Sequence, residues 1–142
     1  MTRKQSRDEA FKLLYQSDIS HDKAEDILEL FYQQNEGIND KAKSYISNVI
    51  FGVELNKDEI DKTIAKYSKG WNLNRISRLS AAALRLAIFE IMYCDDIPNT
   101  VAASEAVSLV KLYDSEESAG FVNGILASVI GGIPVDNNGQ QS

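Results

Sequence analysis

At 142 residues, 44% of them hydrophobic and 25% charged, the chain is long enough to bury a core without help from disulfides or metals. Its formal charge of −6 argues against a protein that holds nucleic acid through bulk positive field. The charged opening MTRKQSRDEA, and the lack of any apolar run near the roughly 20 residues that span a bilayer, argue against a signal peptide and a membrane span, so a cytoplasmic location is expected.

The first predicted helix covers about Gln5 to Asp18, with Ala10, Leu13, Leu14 and Ser17 on one side and Phe11 and Tyr15 beside them. Arg3, Lys4 and Arg7 are three or four apart and are expected to project together from its exposed start. Helix dipoles favour acids there, so a basic cluster is mildly costly; simple solvation and contact with an anion are both open readings. Asp22 with Glu25 has capping-box spacing and opens a second helix through Ile27, Leu28, Phe31 and Tyr32 that stops near Gly37. Asn39 or Asp40 should cap a third, whose Ile46, Val49, Ile50 and Val53 fall at i, i+3, i+4, i+7, and Gly52 within it suits a close helix crossing. Asn56 with Glu59 repeats the capping spacing before Ile60, Ile64 and Tyr67, and Gly70 ends this fourth helix.

The central helix is expected from Trp71 to Tyr93. At about 100° per residue, Ile76, Leu79, Ala83, Leu84, Leu86, Ala87, Ile88 and Ile91 fill an arc too broad to bury against one neighbour, leaving a narrow strip with Arg78, Arg85, Phe89 and Met92. Arg75, Arg78 and Arg85 either extend an anion path or pair with the acidic second helix, and exposed Phe89 and Met92 could form a homodimer patch. Pro98 breaks the helix. Asn99 or Thr100 can cap a sixth, with Val101, Ala106, Val107 and Val110. Asp114 with Glu117 opens a seventh, with Val122, Ile125, Leu126 and Val129, stopped by Gly131, Gly132 and Pro134. The reading is all-α, about seven helices in a compact bundle forming one domain over residues 1–132, with a polar tail at 133–142 expected to be disordered.

Chemistry is sparse. One cysteine, Cys94, and one histidine, His21, leave no internal disulfide and no Cys- or His-based metal site, and no phosphate-cradling glycine loop or nucleophile elbow is present. Cys94 reads as inert core. Glu90, at the edge of the central apolar arc, must be paired, and a neighbouring helix start or an arginine is its expected partner. No catalytic residues, cofactor or enzyme activity are expected.

Four pieces in order carry a resemblance: Arg3, Lys4, Arg7, Ala10, Leu14, Tyr15 and Gln16 as R-K-x-x-R-x-x-A-x-x-x-L-Y-Q, then LRLAIFEI from Leu84, SEAVSLVK from Ser104 and FVNGIL from Phe121. Together they resemble the NusB family of bacterial transcription antitermination proteins. The resemblance implies two packed three-helix groups with one extra helix. It also implies binding of the single-stranded boxA element of ribosomal RNA leader transcripts together with NusE, a small-subunit ribosomal protein, to help load an antitermination complex onto RNA polymerase. The same fold serves as the RNA-binding part of a ribosomal RNA methyltransferase, but with nothing following the domain here the stand-alone factor is expected.

By the resemblance, Arg3, Lys4 and Arg7 match the family's RNA-binding start, Glu117 and Phe121 match its second RNA region, and Tyr15 and Ser80 match its NusE-facing surface. Many members carry an acid where Ser80 stands. Phe121 is either a face for an unstacked base or plain core, and Asn123 offers both donor and acceptor to a base. The rival from another class is a helical assembly factor that binds no RNA, which would suit the net acidity.

Overall fold

A computed structural model describes residues 1–68 and 76–133, which form seven helices and no strand among the described residues. They are α1 (Arg3–Ser20), α2 (Ala24–Gln34), α3 (Asp40–Leu55), α4 (Lys57–Tyr67), α5 (Arg78–Tyr93), α6 (Asn99–Tyr113) and α7 (Glu116–Gly131). Trp71, the Gly70 stop, Arg75 and the tail beyond Ile133 lie outside the described residues, but Ile76 and Ser77 are not helical, and the central helix begins at Arg78, after Ser77 in extended conformation, instead of running on from Trp71.

Helices α1, α2 and α3 pack as one group, α5, α6 and α7 as another, and α4 is the extra helix, laid against α5 and α7. The groups meet where α5 packs on α1 and α3. That position requires burial nearly all round, and from Ser80 to Ile91 every residue of α5 except Arg85 is buried. The predicted stripes face the core: Ile46, Val49, Ile50 and Val53 of α3, Ile60 and Ile64 of α4, and Val122, Ile125, Leu126 and Val129 of α7 are all buried.

The strip left over on α5 is covered, not bare. Phe89 is buried, with its ring where a Cβ on Gly52 would stand, so α3 crosses α5 at that glycine. This corrects the expectation that Phe89 is exposed; Met92 remains on the surface. Arg85 pairs with Asp61 of α4 at 2.9 Å and with Asp18 of α1 at 3.3 Å, and Arg78 reaches Asp18 at 3.3 Å. Their partners come from the helices packed on α5, not from the acidic α2.

Several helix starts also differ from expectation. Asn39 caps α3 and accepts from the Ala42 amide. At α2, however, Lys23 is the cap residue, and Glu54 of α3 accepts from the Ala24 amide at 2.7 Å in place of an Asp22 box. The Asn56 side chain turns back to donate to the Gly52 carbonyl, Pro98 rather than Asn99 or Thr100 precedes α6, and Ser115 rather than Asp114 caps α7. Ser77 caps α5 through the Ser80 amide.

Candidate nucleic-acid interface

The first turn of α1 is fixed by a reciprocal cap in which the Thr2 hydroxyl accepts from the Gln5 amide and Gln5 accepts from the Thr2 amide. No acid lies in that turn, so Arg3 and Lys4 stand exposed at the positive end of the helix dipole. Arg7 does not join them. Its side chain turns inward, 4% exposed, and grips Glu90 of α5 with Nε on Oε1 at 3.0 Å and Nη2 on Oε2 at 2.9 Å. Tyr45 of α3 donates its hydroxyl to the same Oε2 at 3.2 Å. The expectation that three cations project together is thus corrected, and the reason is register. Arg7, Ala10, Phe11 and Leu14 follow i, i+3, i+4, i+7 and are all buried, so Arg7 belongs to the inward stripe of α1.

Glu90 has the arginine partner that a fully buried carboxylate demands. Burial alone would lower the Arg7 pKa, but the hydrogen bond and charge of Glu90 outweigh it and hold the guanidinium above its ordinary value. Burial first, then the Glu90 charge, push the Tyr45 phenol well above its usual range. Arg3 lies over the Tyr45 ring, 4.3 Å from its centroid, so the buried triad also sets the position of an exposed cation.

A groove of about 480 Å³ opens beside this end, with Lys4, Gln5 and Asp8 of α1 on one wall and Glu105, Ser108 and Leu112 of α6 on the other. Farther along α1, Tyr113 at the end of α6 donates to Asp8 at 2.7 Å and stacks on Phe11 with centroids 5.4 Å apart. Helix α7 starts at Glu116, soon after this tie, with Glu116 and Glu117 in its first turn. Glu117 and Asn123 are exposed, and Phe121 is half-buried against the core, neither sealed nor free. The groove beside Lys4 is therefore lined from α6 rather than α7; Phe121 and Asn123 are not part of it.

At the other end of α1, half-buried Tyr15 lies within one turn of Asp18, and Ser80 within one turn of Arg78, so the Arg78–Asp18 ion pair draws the two stretches together. Ser80 is 2% exposed. Its hydroxyl donates to Asp114 Oδ2 at 3.3 Å, and Ser77 donates to the same oxygen at 2.7 Å. Asp114, which its spacing to Glu117 marks only as a cap, is the exposed acid at this place.

The NusB family model matches residues 4–131. The chain belongs to the NusB family. It is 48% identical to the transcription antitermination protein NusB of Acetivibrio thermocellus over 92% of this chain and 89% of that protein. A solved structure of T. maritima NusB superposes with a TM-score of 0.82 at 35% identity, covering 91% of this chain and 90% of that one. A structure of antitermination factors NusB and NusE in complex with dsRNA gives a TM-score of 0.80 at 26% identity, over 91% of this chain and 97% of the other. NusB proteins are antitermination factors, not enzymes. Among the described residues no helix is long and apolar enough to cross a membrane.

Proposed function

We propose that the protein acts in the cytoplasm as an antitermination factor that binds boxA-type single-stranded RNA of ribosomal RNA leader transcripts jointly with NusE and helps load the antitermination complex onto RNA polymerase. The supporting observation is the exposed, acid-free first turn of α1, where Arg3 and Lys4 stand beside open grooves in a chain otherwise dominated by acid. These side chains meet phosphates, while Phe121 offers part of a ring to an unstacked base, a contact worth on the order of 1–3 kcal/mol, with Glu117 and Asn123 nearby on α7. Tyr15 and the Ser80 region face NusE, and since Ser80 is buried, the group it offers there is the Asp114 carboxylate that it helps to hold.

The test is fluorescence anisotropy with a boxA-like single strand, a scrambled single strand and a duplex, each with and without NusE. The duplex arm matters because the structural relative is in complex with dsRNA. The proposal expects modest binding alone, tighter binding with NusE, and preference for the boxA-like strand. RNA binding that stays undetectable with NusE present would leave the assembly-factor reading.

A further inference from the structure

Two hollows of about 290 and 300 Å³ adjoin at the start of α1, and Arg3 and Lys41 line both. The second is completed by Ser44, Tyr45 and Asn48 of α3 and by Asp96 of the turn between α5 and α6. We propose that this cleft seats one nucleotide of the bound RNA strand, with Lys41 and Arg3 on its phosphate and Ser44 and Asn48 reaching its base or ribose. The inference rests on the RNA-binding reading above and deepens it, adding residues of α3 that the family resemblance did not indicate.

Charge points first to a phosphate. Among the described residues neither Arg3 nor Lys41 has a carboxylate within ion-pair distance, whereas Lys12, Lys62, Arg78 and Arg85 each do. Asp96 is the one carboxylate on the lining and pairs with neither, so the two cations leave the opening net positive, and an anion between them relieves their repulsion.

Pre-organisation points the same way. One face of the Arg3 guanidinium lies on Tyr45, whose hydroxyl is tied to Glu90, which Arg7 grips in turn. Arg3 is thereby held with its other face available for a base to stack on and its planar edge available to a phosphate. Ser44 and Asn48 are four apart and exposed on α3, so they present a hydroxyl and an amide along one line beside it. Asp96, an exposed carboxylate on the same lining, disfavours a second phosphate there. The volume, at the small end of ligand pockets, fits a single nucleotide rather than a duplex. Arg7 takes no direct part and acts as a positioning residue.

The experiment uses the full chain with NusE and the boxA-like single strand, titrated across salt concentrations. Lys41→Ala is expected to weaken binding several-fold at low salt and to reduce the slope of log K against log salt by about 0.7, the value for one lost contact to a single strand. Asn48→Ala should weaken binding with the slope unchanged, because no charge is removed. Lys62→Ala, at an exposed position of α4, should change neither. If the wild type binds and Lys41→Ala keeps the full slope, the cleft is not on the RNA path and the inference is overturned while the RNA-binding function stands. If the wild type fails to bind RNA, the functional proposal fails first and the cleft assignment falls with it.

Discussion

Arg7 shows how one side chain can look like a ligand-binding group in the sequence and serve another purpose in the fold. Its neighbours Arg3 and Lys4 make a basic cluster, yet its spacing to Ala10, Phe11 and Leu14 places it on the buried stripe, and Glu90 was already marked as a carboxylate in search of a partner. Both halves of the ion pair were therefore visible in the sequence. Their pairing was not, because it depends on α1 and α5 lying side by side. Removing one member of such a buried pair strands the other, so Arg7→Ala is expected to destabilise the protein by about 3–5 kcal/mol in urea unfolding. Replacing the triad together with apolar groups, Arg7→Met with Glu90→Leu and Tyr45→Phe, removes every stranded group and should recover most of that loss. The same triple variant separates positioning from contact. It keeps a ring under Arg3, so its RNA affinity should show the wild-type salt slope; a slope reduced by about 0.7 would put Arg7 in direct contact with phosphate.

At the scale of elements, periodicity located the buried faces of α3, α4 and α7 correctly, because a stripe of apolar side chains reports burial whatever the partner is. Capping pairs were a poorer guide. The Asp114 carboxylate accepts from Ser77 and Ser80, the Asn56 amide nitrogen donates to the Gly52 carbonyl, and Glu54 arrives from α3 to serve the start of α2. A side chain at a helix end answers to whatever hydrogen-bond partner the fold brings near, and a spacing of three residues cannot say which. The candidate site was legible to the same degree. Arg3, Lys4, Glu117 and Asn123 are exposed as a binding role requires, whereas Arg7 and Ser80 are buried and nothing in the sequence marks Lys41, since a single lysine at a helix start carries no pattern. Gly52 was legible too, and its role can be measured. A methyl group there overlaps the buried Phe89 ring, so overpacking of about 1–3 kcal/mol competes with the roughly 1 kcal/mol that alanine gains over glycine in a helix. Gly52→Ala should be net destabilising, and its penalty should shrink when Phe89→Leu makes room. Equal penalties in both backgrounds would show that the α3–α5 crossing does not depend on that contact.

Across the whole molecule, α1 spans about 27 Å and carries both proposed surfaces, the RNA side on its first turn and the NusE side near its last, with the end of α6 tied between them at Asp8 and Phe11. What keeps this helix in place is the seam between the two helical groups, and the Arg7–Glu90–Tyr45 triad is its buried polar part, with the Arg85–Asp18 and Arg78–Asp18 pairs farther along. The triad makes the seam sensitive to base. Among the described residues every resolved titration shift is upward: Arg7, Lys12, Tyr45, Arg85 and Tyr113, with burial pushing the Cys94 thiol up to about 11. Between the ordinary and the native pKa of each such group the folded protein holds a proton that the unfolded chain has released, so stability falls as pH rises through that window. Their contribution is complete below about pH 8.5, where unfolded cysteine begins to ionise, and declines above it, more steeply once unfolded tyrosine titrates near pH 10. Urea unfolding at about pH 7.5 and pH 10.5, values chosen to bracket those ordinary pKa values, should therefore show a lower midpoint at the higher pH with an unchanged m-value. Tyr45→Phe should make that fall shallower, because it removes the phenol whose ionisation would set a second negative charge against Glu90. A midpoint that holds or rises at high pH would show that the seam does not withhold protons in this way, and would weaken the claim that the buried triad is what fixes Arg3 at the mouth of the RNA cleft.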